Sequence, residues 1–219
     1  LNVNRTLGTL IGVGTAICGG SAIAAASSAI RADDQDVSYS ISTIFLFNVI
    51  AVFLFPLMGH LLGLTDTGFG MWAGTAINDT SSVVAASYSF SDAAGNFATI
   101  VKLTRSLMIV PVTLALAIIY ARSNKGENLF SFAKVFPWFV IGFLAAAVIR
   151  RLGLIPLESS SALALSGKFL IITAMAAIGL NTNLKKFITA GPKALALGGI
   201  TWLAVMTSSL GIQLLSHLW

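Results

Sequence analysis

Charge is scarce in this chain. Only 10% of its 219 residues are Asp, Glu, Lys or Arg, where a soluble globular domain carries roughly 25%. Cysteine is scarcer still: the lone Cys18 excludes an intrachain disulfide and any metal site of clustered thiolates. His60 and His217 are the only imidazoles, so neither a histidine-based metal centre nor a Ser–His catalytic pair is expected. No GxxxxGK(S/T) phosphate-binding loop occurs. Asp79 is the only acid well inside an apolar segment, so the paired carboxylates of an intramembrane protease are missing too. The chain is not expected to be an enzyme; no catalytic residue, cofactor or metal is assigned. The formal net charge of +5 comes from scattered basic residues that mostly flank apolar segments. That pattern carries topology information and lipid-headgroup contact rather than nucleic-acid binding. The opening LNVNRT has neither an initiator Met nor a signal sequence, which points to part of a longer protein.

What the chain has instead is apolar length. Hydrophobic residues make up 56% of it, and mean hydropathy is +0.89. Apolar runs recur near the roughly 20 residues that span a bilayer. The expectation is an all-α polytopic membrane protein with seven transmembrane segments, some discontinuous, forming a single transmembrane domain over 1–219. The segments are placed at 7–30, 38–62, 70–90, 97–120, 135–149, 161–180 and 194–218. If all seven cross, Arg5, Arg122, Lys125, Lys134, Lys185, Lys186 and Lys193 share one face and Arg31, Arg150 and Arg151 the other. The positive-inside rule then puts the first face in the cytoplasm and the acidic link RADDQD (31–36) outside. Pro56, Pro111 and Pro137 lie in or at the edge of spans, as gating kinks or as the prolines that membrane helices commonly carry.

Two stretches interrupt this apolar pattern at matching places. Residues 14–27 read GTAICGGSAIAAAS and residues 74–87 read GTAINDTSSVVAAS, identical at eight of fourteen positions. In the first, Gly19, Gly20 and Ser21 either break the helix, aiming backbone N–H groups of the next half-helix into the membrane, or form a small-residue packing face. In the second, Asn78, Asp79 and Thr80, followed by Ser81, put an ionisable group at bilayer depth, where it faces a cavity or a partner. Alternatively 70–78 is re-entrant and Asp79 caps a helix starting at Thr80, a reading compatible with the first. Lys102 and Arg105, three apart in IVKLTRSLMIVP, share a helix face. They either snorkel to headgroups or form an inward cationic patch near Asp79. Lys168 is a third cation within a span. Asn181, Thr182 and Asn183 mark either an irregular helix end or a plain C-cap before cytoplasmic lysines.

Taken as a set, IGVGTAICGGSAIAAASSAI, WAGTAINDTSSVVAA, IVKLTRSLMIVP and KFLIITAMAAIGLNTNL resemble the conserved bacterial membrane family named for sulfate export. The resemblance covers essentially the whole chain, which looks like the C-terminal two-thirds of such a protein. That family is grouped with bile-acid symporters and sodium/proton antiporters. The resemblance implies an inverted-repeat transporter fold with crossed discontinuous helices: 1–63 would end the first repeat and 64–219 form the second. With one span between them, the two similar stretches would run in the same direction and would not be the inverted repeat itself. Family members often carry His before the acid of the third segment. Asn78 stands there in this chain, leaving Asp79 as the coupling residue.

The expected function is a secondary transporter of a small inorganic or organic anion, sulfate or another sulfur oxyanion, in the bacterial inner membrane. Gly19, Gly20, Ser21, Asn78, Asp79, Thr80, Ser81, Lys102 and Arg105 are its expected binding residues, and the lipid bilayer its surroundings. A cation/proton antiporter of the same fold, and a non-transporting membrane assembly subunit, are the alternatives. A chain short of leading helices is either part of a longer protein or completed as a homodimer.

Overall fold

A computed structural model describes residues 3–123 and 191–216, with scattered positions between 142 and 173. Contacts divide the chain into two units, Pro137–Thr182 and the remainder. In the smaller unit the described positions are mostly helical, and the Ser166 and Thr173 hydroxyls donate to the carbonyls four residues earlier. Most of the fifth and sixth expected segments, with Pro137, Lys168 and Asn181 to Asn183, lie outside the described residues.

The larger unit holds eight described helices with defined ends. These are α1 (Arg5–Ala16), α2 (Gly20–Ile30), α3 (Asp34–Leu61), α4 (Asp66–Ala76), α5 (Thr80–Phe90), α6 (Asp92–Ser106), α7 (Ile109–Ser123) and α8 (Pro192–Leu215). Among the described residues three stretches are long and apolar enough to cross a membrane: α3, α6 with α7 over Asp92–Tyr120, and α8. The chain is thus an all-helical membrane protein in its described parts, as its composition demands.

The first and third expected segments are not crossings but hairpins. Helix α1 runs alongside α3 in the same direction: the Asn4 Nδ2 donates to the Asp36 carboxylate (2.9 Å), and Gly14 lies against Ile44 further along. Helix α2 leads into the start of α3 through a three-residue link, so it runs back against α1, and Ile23 packs on Gly14. Arg31 closes α2 in the left-handed region (φ 50°), turning the chain into α3.

The second hairpin is built the same way from the other end. Helix α4 lies parallel to α6, with Gly70 against Ala94 and Ala98, and Gly74 against Ala98 and Val101. Helix α5 returns antiparallel, so that Tyr88 covers Gly95. The Ser91 hydroxyl, just after α5, donates to the Asp66 carboxylate at the start of α4 (2.6 Å). Phe90 stacks on Phe69 with ring centroids 4.0 Å apart. The two hairpins therefore enter from opposite ends of α3. That overturns the expectation that the two similar stretches run in the same direction.

Helices α3 and α8 run side by side through the full depth, Trp202 packing on Phe47 and Phe55. Helix α8 touches both hairpins: the Trp72 Nε1 donates to the Met206 carbonyl (3.2 Å), and Thr15 meets Thr201 hydroxyl to hydroxyl (3.5 Å). The step between α6 and α7 falls at Leu107 and Met108, four and three residues before Pro111. Proline cannot donate to the carbonyl four back and its ring crowds that carbonyl, which interrupts the ladder there. Pro56 sits within a helix that remains continuous.

Because the first segment folds back, Arg31 lies at the same end of the bundle as Arg5, not opposite it as seven crossings require. Arg122 and Lys193 fall at that end too, with Asp33, Asp34 and Asp36. The other end carries His60, Asp66 and Asp92.

Close approach of α4 to α6 depends on Gly70 and Gly74, spaced as small residues are at tight membrane-helix contacts. A Cβ at Gly74 would stand 2.8 Å from Val101 side-chain atoms and 2.9 Å from the Ala98 carbonyl oxygen. Backbone cannot yield as a side-chain tip can. Gly74→Ala is expected to cost about 1–3 kcal/mol, read as a lower unfolding midpoint of the detergent-solubilised protein.

Candidate functional site

The hairpin tips, 17–19 and 77–79, meet at mid-depth beside Asn48, near the middle of the 28-residue α3. Each tip exposes two kinds of backbone group that hydrocarbon cannot satisfy: the last carbonyls of the entering helix and the first amides of the leaving one. How each is satisfied defines the site.

The carbonyl ends are held by cations. The Lys102 Nζ, fully buried, donates to the Ile17 carbonyl (2.8 Å) and the Ile77 carbonyl (2.9 Å), one from each tip. One α-turn on, the Arg105 guanidinium donates to the Ala16 carbonyl (2.7 Å) and to the carbonyls of Thr15 and Thr75. Both side chains thus lie against the negative ends of α1 and α4, where a cation is favoured. Of the two readings of this pair, the inward-facing one holds, and neither side chain snorkels. Their donors are largely spent on backbone, so they act first as staples between the hairpins.

The amide ends differ from each other. At the second tip Asp79 is the N-cap of α5: its Oδ2 accepts from the Ser81 amide (2.9 Å) and the Ser82 amide (3.2 Å). This is the re-entrant, capped reading of NDT, with Thr80 as the first helical residue. The amides of Asn78 and Asp79 both donate to the Asn48 Oδ1 (3.2 Å each), which tie the tip to α3. The Asn78 side chain is fully buried, and neither its Oδ1 nor its Nδ2 has a hydrogen-bond partner among the described residues.

At the first tip the N-cap residue gives α2 no side-chain cap. Its N-cap is Gly19 (φ 69°, ψ −124°), a backbone conformation that favours glycine, and the first helical bond is donated by Ile23. The amides of Gly20 and Ser21 precede that bond and have no helical acceptor. Ser21 is exposed and Gly20 half-buried, so among the described residues this helix end is open. Gly19 brings the two tips together: a Cβ there would lie 3.7 Å from the Asn78 carbonyl carbon and 3.7 Å from the Asn48 Nδ2.

Every site residue expected from the sequence therefore lies on these tips, in the first turn of α2 or α5, or on the α6 turn that joins the tips. Asn48 was missed, although a lone amide within IFLFNVIAVFLF is a polar group at membrane depth and could have signalled its role. A cavity of about 470 Å³ lies between α4 and α8, and its walls include Thr75, Ser208, Ser209 and Gln213. The Thr75 carbonyl bonds Arg105, so the cavity borders the staple.

Residues 1–198 match a family model described as Conserved hypothetical protein 698. The chain is 46% identical over 222 residues to a UPF0324 membrane protein of Clostridium tetani, covering 95% of this chain and 64% of that protein. It is 44% identical over 226 residues to one from Streptococcus agalactiae serotype V, covering 99% and 67% respectively. A Fusobacterium nucleatum relative is 43% identical over 233 residues, with 97% and 67% covered. The chain thus spans about two-thirds of the length of these relatives. No solved structure matches.

Proposed function

The chain belongs to the UPF0324 membrane protein family, and from that premise we propose that it forms the larger part of a secondary transporter of a small anion. Sulfate and related sulfur oxyanions are the candidate substrates, on the sequence resemblance given above. The carrying observation is the asymmetry of the two tips. The carbonyl ends of α1 and α4 are occupied by Lys102 and Arg105, and the amide end of α5 by the Asp79 carboxylate. Among the described residues the amide end of α2 is left open beside a junction of two cationic groups and one anionic group. A positive helix end with unpaired amides, in a region of net positive charge, attracts an anion. The Asn78 amide, unpartnered among the described residues, supplies a further buried polar group at the same junction.

Two hairpin-then-span units, α1–α3 and α4–α7, insert from opposite ends, the arrangement that inverted repeats produce. Rocking of the hairpins against α3 and α8 would expose the junction to each side in turn, and the cavity by Thr75 offers an approach from the α8 C-terminal end. The end bearing Arg5, Arg31, Arg122 and Lys193 faces the cytoplasm by the positive-inside rule, in the bacterial plasma membrane. The cation/proton antiporter reading has less support, because the tip carbonyls that would bind a cation already accept from Lys102 and Arg105.

The test is flux of labelled sulfate and of sulfonates into liposomes containing the full-length family protein, with Ser21→Asp as the probe. A carboxylate in the first turn of α2 suits that helix end and leaves the fold intact. It should compete with the anion for that helix end, from the second helical position rather than the N-cap position Asp79 holds on α5, and lower flux by at least about tenfold, an affinity loss of ~1.4 kcal/mol. Undiminished flux in Ser21→Asp would remove the anion site from this tip.

A further inference from the structure

We propose that Lys102 is a tethered substitute for a monovalent cation: the junction contains a latent cation site, filled in this chain by its own ammonium group. The carbonyl ends of two half-helices converging on one point at membrane depth are the arrangement that coordinates sodium in transporters with broken helices. Here that point holds the Lys102 Nζ, 2.8 Å from the Ile17 oxygen and 2.9 Å from the Ile77 oxygen, fully shielded from solvent. The side chain reaches it from α6, and its own turn is braced by the Ser106 hydroxyl, which donates to the Lys102 carbonyl (2.9 Å). An ammonium brings one positive charge and hydrogen-bond donors to two carbonyls, the service a dehydrated sodium or potassium ion would perform with the same oxygens. A covalently held cation cannot leave with the substrate. The chain therefore needs no external monovalent cation to join its hairpins, and this junction couples no sodium to transport. Only this last consequence rests on the transporter reading; the site itself rests on geometry.

The experiment removes the tether and offers free cations. Lys102→Ala in the full-length family protein leaves the Ile17 and Ile77 carbonyls facing a space the size of the lost side chain. In choline buffer, the unfolding midpoint of the detergent-solubilised variant should fall by at least roughly 6–12 °C, the lower range expected for two lost bonds from a charged donor. Methylammonium or sodium should restore most of that shift with saturable dependence on concentration, while the wild type shows no response to either. Lys102→Met, which fills the space without a charge, should be destabilised and should not respond. An unshifted midpoint in Lys102→Ala, recovery in choline salts as strong as in sodium, or equal recovery of Lys102→Met would each overturn the proposal. If Lys102→Ala survives solubilisation only with methylammonium or sodium present, that dependence is itself the expected rescue; loss in every buffer would sink it. Wild-type anion flux should be unchanged when choline replaces sodium. A sodium requirement there would overturn the coupling consequence, whereas a protein that moves no anion at all would fail the transporter reading and leave the stability result standing.

Discussion

Arg105→Ala is expected to abolish the proposed anion flux and to lower the unfolding midpoint of the full-length protein by roughly 10 °C. Its guanidinium reaches the Thr15 and Ala16 carbonyls on one hairpin and the Thr75 carbonyl on the other. Hydrogen bonds from a charged donor contribute about 1.5–3 kcal/mol each. The site is half-buried, so the freed carbonyls regain some water, and about 3 kcal/mol in all is a reasonable lower figure. At roughly 2–4 °C per kcal/mol for a chain of this size, that is a shift of about 10 °C. Arg105→Lys separates charge from geometry, since an ammonium lacks the planar fork that serves carbonyls on two elements at once. It should recover less than half of the lost midpoint and little of the flux. Differential scanning fluorimetry on both variants checks this; a midpoint within about 2 °C of wild type for Arg105→Ala would show that the staple does not hold the tips.

That staple marks the boundary of what the sequence made legible. The breaks could be read because their causes are local. Two adjacent glycines in an apolar run resist the helix, and Asp79 ahead of TSSVVAAS is a favoured cap. The long spans α3, α6–α7 and α8 followed from apolar length alone. The fold-back of the first and third segments could not be read that way. Hydropathy registers apolar residues, and some 24 of them cross a bilayer or enter and return with equal ease. Half-helices of 12 and 11 residues settle the matter by length: at 1.5 Å per residue each is about 17 Å long, enough to reach the middle of a core about 30 Å thick. The assignment of Arg31 to the wrong end followed directly from that ambiguity. The partners of Lys102 and Arg105 were illegible for another reason. They are backbone carbonyls, which every residue carries, and the Arg105–Thr15 pair is separated by 90 positions. What sequence offered was the converse clue, two cations inside an apolar helix that must find acceptors somewhere.

The similar stretches 14–27 and 74–87 turn out to be the two tips, and where they differ is where the chemistry divides. Gly19 gives the first tip a positive φ and no side-chain cap of its own; Asp79 gives the second a carboxylate that occupies its own helix end. That contrast predicts the second large effect. Asp79→Asn keeps an acceptor for the Ser81 and Ser82 amides, since Asn caps helices about as well as Asp. The variant should therefore fold with an unfolding midpoint within a few degrees of wild type. What it loses is the only proton-exchangeable group among the expected binding residues that is not already committed to holding carbonyls. If Asp79 couples protons to the anion, an imposed pH gradient should accelerate sulfate or sulfonate uptake in wild-type liposomes and leave Asp79→Asn unaffected, with exchange down the anion gradient retained. Asp79→Ala should behave differently on both counts. Removing the cap costs about 0.5–2 kcal/mol and leaves the amide ends of both α2 and α5 open at the same junction, so anion affinity should rise while pH-driven uptake is again lost. Measured side by side, the two variants distinguish the cap from the coupling group. A pH-driven uptake in Asp79→Asn equal to wild type would assign Asp79 to the cap alone and move proton coupling elsewhere in the protein.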